Sequence, residues 1–486
     1  MTFEILFEKI DKVPCNSLQK TLNSHQNSLE KILILMYNGC KSKRSYPMLK
    51  RKIEQALTEW KNTPNHSPLI IKGCRQCGKT YSVRDFAKKN YKHEVYLNFF
   101  KNPSYISIFD GSLEIDNLIM MMSALLGPSA VFKPGETVII LDEIQDCPEA
   151  RTALKFFRED GRFDVIGTGS LLGVKGYGKQ PKSIPVGSET VIEMHPLDFE
   201  EFLWANGIAP QVIDLLKECF DEEKPVPEAL HEKMRQLILQ YTVVGGMPEV
   251  VDTFVKTKQM NSVLALQRDI VRSYEDDMVK YADGKDKSLI MECFQSIPKQ
   301  LSKENKKFQY SIVKKGGTAS KFQGSIQWIE DAGIIARCYN LDLPELPLDG
   351  NAIDDIFKVY MQDTGLFVSM LEDGTQFDIL QGNLYGYKGA IFENLMADIF
   401  TKMGRKLYYY HKDSGLEIDF VIRYKGGATL IEVKATTGNT KSTKTILAHP
   451  EKYHVAGAVK LGDYNVGRNE RMLTIPLYMG FLLNEF

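Results

Sequence analysis

No part of this chain is long and apolar enough to cross a bilayer. Ile32–Met36 is only a short apolar piece, far below the roughly 20 residues that a spanning helix needs. Nor does the start resemble a secretory leader: Met1-Thr-Phe-Glu-Ile-Leu-Phe-Glu carries acids where a leader carries bases. The expectation is a cytoplasmic protein with no membrane partner. Net charge is also lacking, at −1 over 486 residues. This excludes a molecule-wide electrostatic surface for nucleic acid, so any such site is local. Eight cysteines show no framework spacing, which fits reduced thiols. There is no internal repeat and no low-complexity tract. What remains is an ordinary globular composition, 43% apolar and 25% charged, long enough for about three domains.

Against that background Gly73–Thr80 stands out, reading Gly-Cys-Arg-Gln-Cys-Gly-Lys-Thr. It is a complete G-x-x-x-x-G-K-[ST] phosphate-binding loop. Gly73 and Gly78 let the backbone fold tightly so that its N–H groups, including those of Arg75 and Gln76, face the phosphates of a nucleotide. Lys79 brings a cation to the same phosphates, and Thr80 offers a hydroxyl to Mg²⁺. The context is right. The apolar run Ser67–Lys72 precedes the loop, and Val83, Phe86 and Ala87 follow at helical spacing. Cys74 and Cys77 form a C-x-x-C inside this loop, with no second pair at zinc spacing. They are either plain loop filler or hold a thiol of lowered pKa, whose oxidation blocks nucleotide binding.

Thr137–Glu143 is a second signal, an apolar strand ending in Asp142-Glu143. An Asp there holds the hydration shell of Mg²⁺, and a neighbouring Glu polarises the attacking water. Thr168-Gly-Ser170 follows the next strand, and one of its hydroxyls serves as a sensor of the γ-phosphate, with Ser170 the candidate. No guanine-reading motif is evident, which favours ATP over GTP. Arg151, Arg158, Arg162 and Arg272 are open candidates for an arginine finger. The finger could equally come from a second subunit of a homo-oligomer.

The rest of the chain reads as α/β and multidomain. Residues 1–66 form a helical N-terminal extension whose helix around Tyr46–Trp60 is solvated and leans on the next domain. Residues 67–206 alternate strands and helices, a parallel sheet covered by helices. Residues 207–285 form a helical lid broken by the turn Gly245-Gly-Met-Pro248. Residues 286–345 pattern as helices closed by a hairpin, a winged helix. Leu343–Gly350 reads as a linker, and 346–486 returns to mixed α/β.

Near the C-terminus, Glu417-Ile-Asp419 and Glu432-Val-Lys434 flank a Gly426-Gly427 turn. Residues two apart on a strand share a face, so Glu432 and Lys434 point together. With Asp419 across the hairpin, they make a hard-cation site of the kind Mg²⁺ takes. Glu393 sits among core-facing positions of an upstream helix, costly unless it pairs or binds metal. Metal-assisted phosphodiester hydrolysis is the matching chemistry; a degenerate fold used for binding stays open beside it.

Together these segments resemble the prokaryotic AAA+-type ATPases related to archaeal and signalling ATPases. In that family the C-terminal half is a conserved domain of unknown function with a nuclease-like end. The resemblance covers about residues 48–480. It is carried by Gly73–Thr80, Leu141–Gln145, Thr168–Ser170, Pro196–Leu203, Gly245–Pro248, Asp363–Leu366, Gly389–Asn394, Glu417–Phe420 and Ile431–Lys434. It implies ATP and Mg²⁺ as cofactors. It further implies a PD-(D/E)xK-like core with Glu393, Asp419, Glu432 and Lys434 in the matching places. One departure is Gly187-Ser188, where many relatives carry Gly-Arg.

Two functions compete. In one, an ATPase is coupled to a nuclease-like domain that binds or cleaves DNA, with Lys303, Lys306, Lys307, Lys314, Lys315, Lys321 and Arg337 near the winged helix as phosphate contacts. In the other, a nucleotide-dependent switch presents a catalytically inactive C-terminal module to a protein partner. A small-molecule kinase fits less well, because Asp142-Glu143 suits water activation.

Overall fold

Short apolar strands that alternate with amphipathic helices can bury both faces only inside a covered parallel sheet, and the chain builds one. In the computed structural model, residues 49–170, 187–281, 286–303, 306–383, 388–434 and 440–484 are described. The stretch 1–48, with Ile32–Met36, lies outside them. Strands β1 (Leu69–Lys72), β2 (His93–Asn98), β3 (Thr137–Asp142), β4 (Asp164–Gly169) and β5 (Thr190–Glu193) form one sheet in the order β2-β3-β4-β1-β5. Every pairing in it is parallel.

The two faces of this sheet hold separate cores. Ile70, Ile139, Leu141 and Val165 pack under helices α3 (Ile115–Leu126) and α4 (Pro148–Asp160). Leu69, Ile71, Val138, Ile140 and Ile166 pack under α1 (Ile53–Asn62) and α2 (Lys79–Asn90). The expected solvated helix therefore needs correcting. Ile53, Leu57 and Trp60 recur at helical spacing and are buried against the phosphate-loop strand. Helix α1 thus shares one core with β1 and α2.

Helices α5 (Phe199–Ala205), α6 (Pro210–Asp221), α7 (Glu228–Val244), α8 (Pro248–Thr257) and α9 (Met260–Tyr281) follow. Then come α10 (Asp286–Leu301), α11 (Tyr310–Val313) and α12 (Ala319–Asp331), and the antiparallel pair β6 (Ile335–Leu341) and β7 (Ala352–Met361). Here too the structure corrects the reading. Leu343–Gly350 is the connection within this hairpin, because Asn340 and Leu341 pair with Ile353 and Ala352. It does not separate domains. Strand β6 also pairs in parallel with β8 (Leu407–His411), so with β9 (Glu417–Ile418) the hairpin belongs to a four-stranded sheet, β7-β6-β8-β9. A single apolar cluster runs from Leu197 to Leu483, and the helical and C-terminal segments share it.

Strand β9 (Glu417–Ile418) pairs with β8, and β10 (Phe420–Tyr424) pairs with β11 (Gly427–Val433). Only Asp419 separates them, so the strand changes sheets at that residue. The second sheet continues through β12 (Val455–Gly462), β14 (Met472–Pro476) and β13 (Gly467–Asn469) in the order β10-β11-β12-β14-β13. Helices α13 (Thr364–Ser369), α14 (Thr375–Leu380), α15 (Lys388–Lys402) and α16 (Lys441–Leu447) complete the half.

A buried polar junction ties the halves together. Gly246 N donates to Asp363 Oδ2 at 2.7 Å, and Leu197 N donates to Gly246 O at 2.7 Å. Lys402 Nζ donates to Leu197 O at 3.1 Å and pairs with Asp398 at 2.7 Å. A Cβ at Gly245 would meet Asp363 Oδ1 at 2.2 Å, so only glycine lets this turn approach the carboxylate. Three of the sequence signatures, Pro196–Leu203, Gly245–Pro248 and Asp363–Leu366, meet here. No described helix is long and apolar enough to cross a membrane.

Candidate active site

The phosphate loop leaves β1 at the carboxyl edge of the parallel sheet and enters α2. Gln76 and Gly78 both take positive φ, at 63° and 98°. Gly73 lies so close to the chain after β5 that a Cβ there would sit 2.1 Å from Met194 O. Lys79 is buried and turned onto the loop itself, donating to Gly73 O at 2.9 Å and Cys74 O at 2.8 Å. Its partners are carbonyls, so it can move to a phosphate without stranding a buried charge.

Asp142 ends β3 beside this loop, 2% exposed. Thr80 Oγ1 lies 3.0 Å from its Oδ1, Asn98 Nδ2 2.6 Å and Tyr96 OH 2.5 Å from its Oδ2. Thr168 Oγ1 also donates to Oδ1. All four donors are neutral. A carboxylate so oriented keeps its charge for a cation, and Thr80 stands next to it, so the residues fit a nucleotide-bound Mg²⁺. Of Thr168-Gly-Ser170 it is Thr168 that reaches Asp142, while Ser170 lines a cavity of about 380 Å³ with Lys72, Gly73, Glu193 and Gln362.

Glu143 adopts the left-handed conformation, φ 54°, a strained choice for a residue with a side chain. Its carboxylate accepts from Gln145 Nε2 at 2.5 Å, and burial pushes its pKa up. Gln145 Oε1 is buried without a hydrogen-bond partner. A carboxylate raised by burial beside an acceptor in need of a donor is a setting for water. The arginine candidates each have partners of their own: Arg151 is held by Glu189, Arg158 donates to Gly187 O, Arg162 pairs with Asp160 and Asp116, and Arg272 with Asp269.

Other segments reach the loop, and sequence reading assigned Arg51, Ser273, Tyr274 and Asp277 no role there. Arg51, 8% exposed, donates to Cys77 O at 3.0 Å and His195 O at 2.6 Å, and pairs with Glu201 at 3.1 Å. Arg75 pairs with Asp277 of α9, Gln76 Nε2 donates to Ser273 Oγ at 3.2 Å, and Tyr274 OH donates to Arg75 O at 3.2 Å. A Cβ at Gly78 would lie 3.4 Å from Pro248, and one at Gly333 would lie 3.3 Å from Cys74 N. The loop is thus touched at once by the segment before α1, by α8 and α9, and by the turn between α12 and β6.

The C-terminal carboxylates are also brought together, but with different partners. Glu432 Oε2 lies 2.5 Å from Lys434 Nζ, and its Oε1 accepts from Thr443. Asp419 Oδ2 accepts from Val433 N at 2.7 Å and lies 3.6 Å from Lys434 Nζ. Glu393 pairs with Lys306, lies 3.8 Å from Lys358, and accepts from Tyr360 OH at 3.1 Å. Lys358 is 1% exposed and also pairs with Glu417 at 3.2 Å. Its ammonium is driven above its ordinary pKa by Glu393, Glu417 and Asp419, against the cost of burial. Burial and the neighbouring Glu393 and Glu432 push Asp419 up to about 7, with Lys434 opposing.

Three buried acids therefore meet three lysines, and each acid has a lysine within 4 Å. Among the described residues no group of three or more His, Cys, Asp or Glu is arranged to hold one. The acids expected as Mg²⁺ ligands do not fit that ion here, because Glu393 and Glu432 are held by Lys306, Lys358 and Lys434, and Asp419 lies 3.6 Å from Lys434. Sequence reading missed Lys358 and Tyr360, and it took Lys306 for a phosphate contact where it pairs with Glu393. Lys358 had a signal, a lone charge inside the apolar run Ile356–Met361. The basic set near α12 is partly spent as well: Lys306 on Glu393, Lys314 on Glu292, Arg337 on Glu330.

Comparison with known proteins agrees with the first site and leaves the second open. Residues 65–203 match the family described as AAA domain. Residues 235–376 and 388–479 match two families described as domains of unknown function, DUF8612 and DUF4143. No curated protein gives a match. Among solved structures, a Walker-type ATPase of Pyrococcus abyssi is similar at 12% identity and a TM-score of 0.41, over 68% of this chain and 97% of that one. The ORC1 protein of Aeropyrum pernix in complex with DNA gives 14% and 0.28, over 69% and 93%. A Vibrio cholerae protein gives 10% and 0.16, over 86% and 96%. Residues 65–203, with their parallel sheet, phosphate loop and Asp142-Glu143 strand end, are a P-loop AAA-type ATPase domain within an α/β multidomain chain.

Proposed function

We propose that this chain is a Mg²⁺-dependent ATPase that works as a nucleotide-operated switch, with its C-terminal half a nuclease-like but metal-free interaction module. The observation that carries the reading is the contrast in partners: Asp142 is held by neutral donors, whereas Glu393 and Glu432 are held by lysines. Bound Mg²⁺ would neutralise charge on the β- and γ-phosphates. Thr80 and Asp142 would hold it, with Asn98, Tyr96 and Thr168 fixing the carboxylate. Lys79 exchanges the carbonyls of Gly73 and Cys74 for phosphate oxygens. Glu143, steered by Gln145, accepts the proton of the attacking water.

The contacts of Arg75 with Asp277, and of Cys74 with Gly333, support a switch. Closing the loop on phosphates displaces groups that the lid and the C-terminal half touch. On this reading the arginine finger comes from a second subunit of a homo-oligomer, since Arg151, Arg158, Arg162 and Arg272 are each paired elsewhere. The nuclease reading keeps one supporting observation, the convergence of Asp419, Glu432 and Lys434. The deciding experiment is the ATPase rate with and without DNA, on the wild type and on Lys79→Ala, with linear and single-stranded DNA scored for cleavage in Mg²⁺ or Mn²⁺. The switch reading expects turnover lost in Lys79→Ala, no stimulation by DNA and no cut strands. DNA cleavage that disappears in both Asp419→Ala and Lys434→Ala would overturn it.

A further inference from the structure

The cysteines of the phosphate loop are more than filler. Cys74 and Cys77 are both free and buried, and they stand on either side of Arg75 and Gln76, the latter at φ 63°, in one buried cluster. Cys77 Sγ lies 4.0 Å from Lys79 Nζ and donates to Met194 O at 3.4 Å. Arg51 Nη1 bonds the carbonyl of the same Cys77 at 3.0 Å. Cys74 supplies one of the two carbonyls that hold Lys79. The cavity of about 380 Å³ beside the loop is lined by Gly73 and Gly333, the residues that flank Cys74 in sequence and in space.

We propose that Cys74 and Cys77 are a modification site, a dithiol that a peroxide oxidises to an intraloop disulfide and that locks the phosphate loop against nucleotide. The inference rests on reading Gly73–Thr80 as the nucleotide site. The Cys74 hydrogen bond, with Lys79 and Arg51 nearby, draws the Cys77 thiol below its ordinary pKa against the effect of burial, which makes Cys77 the attacking sulfur. Its thiolate attacks one oxygen of hydrogen peroxide. The O–O bond breaks, and the departing hydroxide takes a proton to become water. The resulting sulfenic acid is attacked by the Cys74 sulfur, forming the S–S bond and releasing a second water that carries off the Cys74 proton. Two thiols lose two electrons in total, and one peroxide gains them. The closed pair ties positions 74 and 77 across Arg75 and Gln76. Lys79 then stays on the carbonyls of Gly73 and Cys74, and the loop cannot reshape around phosphates.

The test uses the full chain with Cys15 and Cys40 replaced by serine, so that the only remaining thiols outside the loop are the four buried at Cys147, Cys219, Cys293 and Cys338. Reduced, peroxide-treated and peroxide-then-dithiothreitol samples are compared for affinity to a fluorescent ATP analogue. Each is also mapped by non-reducing peptide mass spectrometry. Oxidation is expected to join the Cys74 and Cys77 peptides, to weaken binding at least tenfold, and to be reversed by dithiothreitol. Cys74→Ser should give the same affinity with and without peroxide. Failure to find the Cys74–Cys77 linkage would overturn the inference, as would an equal peroxide sensitivity in Cys74→Ser. Mapping reads the disulfide whether or not ATP binds. A reduced protein that ignores ATP therefore counts against the nucleotide site, and a missing disulfide counts against the switch.

Discussion

The two acidic sites of this molecule hold the same kinds of side chain and prepare them for opposite ends. At the carboxyl edge of the parallel sheet, Asp142 is aligned by Thr80, Tyr96, Asn98 and Thr168, and the local lysine rests on carbonyl oxygens. Both charges remain unspent. In the C-terminal half, Glu393, Asp419 and Glu432 face Lys306, Lys358 and Lys434, and each acid lies beside at least one lysine. A buried carboxylate held by neutral donors still attracts a cation. One paired with lysine must first give up an ion pair whose loss leaves an uncompensated charge in low dielectric. Finding acids in a metal-like pattern is therefore not enough; what already holds their oxygens decides.

The comparison breaks most visibly at the ATP site. Glu143→Gln should lower ATP turnover by at least about 100-fold while retaining affinity, read by steady-state phosphate release and by binding. Turnover that survives the change would remove Glu143 as the base. At the other site the largest effect is on stability, not on chemistry. Lys358→Met leaves Glu393 short of a buried partner and should cost about 3–5 kcal/mol in denaturant unfolding. Changing Glu393 to Met as well should recover most of that loss. A single variant as stable as the wild type would show that the lysine is not needed to neutralise the cluster.

Acidity gives a subtler test. Asp419 binds its proton more tightly in the folded chain, at about 7, than in the unfolded one, at about 3.9. Its contribution is thus favourable below about pH 4 and is lost as the pH rises through 7. Asp419→Asn should flatten the loss of stability between about pH 4 and 7, seen in thermal melts. An unchanged pH profile would mean that Lys434 holds Asp419 ionised throughout. The smallest expected effect concerns DNA: addition should change ATP turnover less than about twofold, since Lys306, Lys314 and Arg337 are already engaged by acids.

How much of this was readable beforehand differs between the two sites for a physical reason. The phosphate loop and the Asp142-Glu143 strand end are local patterns, because one turn of backbone and one strand do most of the work. The parallel sheet was legible for the same reason, from apolar runs separated by helical spacing. Membership of α1 in that core was not, although Ile53, Leu57 and Trp60 were visible, because only the fold shows what an apolar stripe faces. The stretch 343–350 has the proline and glycine of a linker, yet it bridges β6 and β7, since turn chemistry does not reveal whether the flanking strands pair. The lysines of the C-terminal cluster come from β7, from β11's end and from the segment before α11, far apart in sequence. Asp419, Glu432 and Lys434 were found because they lie on one hairpin; what neutralises them was hidden by that distance.

Manganese binding tests the contrast most directly. Equilibrium titration with Mn²⁺, followed by electron paramagnetic resonance with and without a non-hydrolysable ATP analogue, separates the two sites. The account predicts one bound ion per chain, dependent on the nucleotide, abolished by Asp142→Ala and indifferent to Asp419→Ala. An ion bound without nucleotide and lost in Asp419→Ala would contradict it.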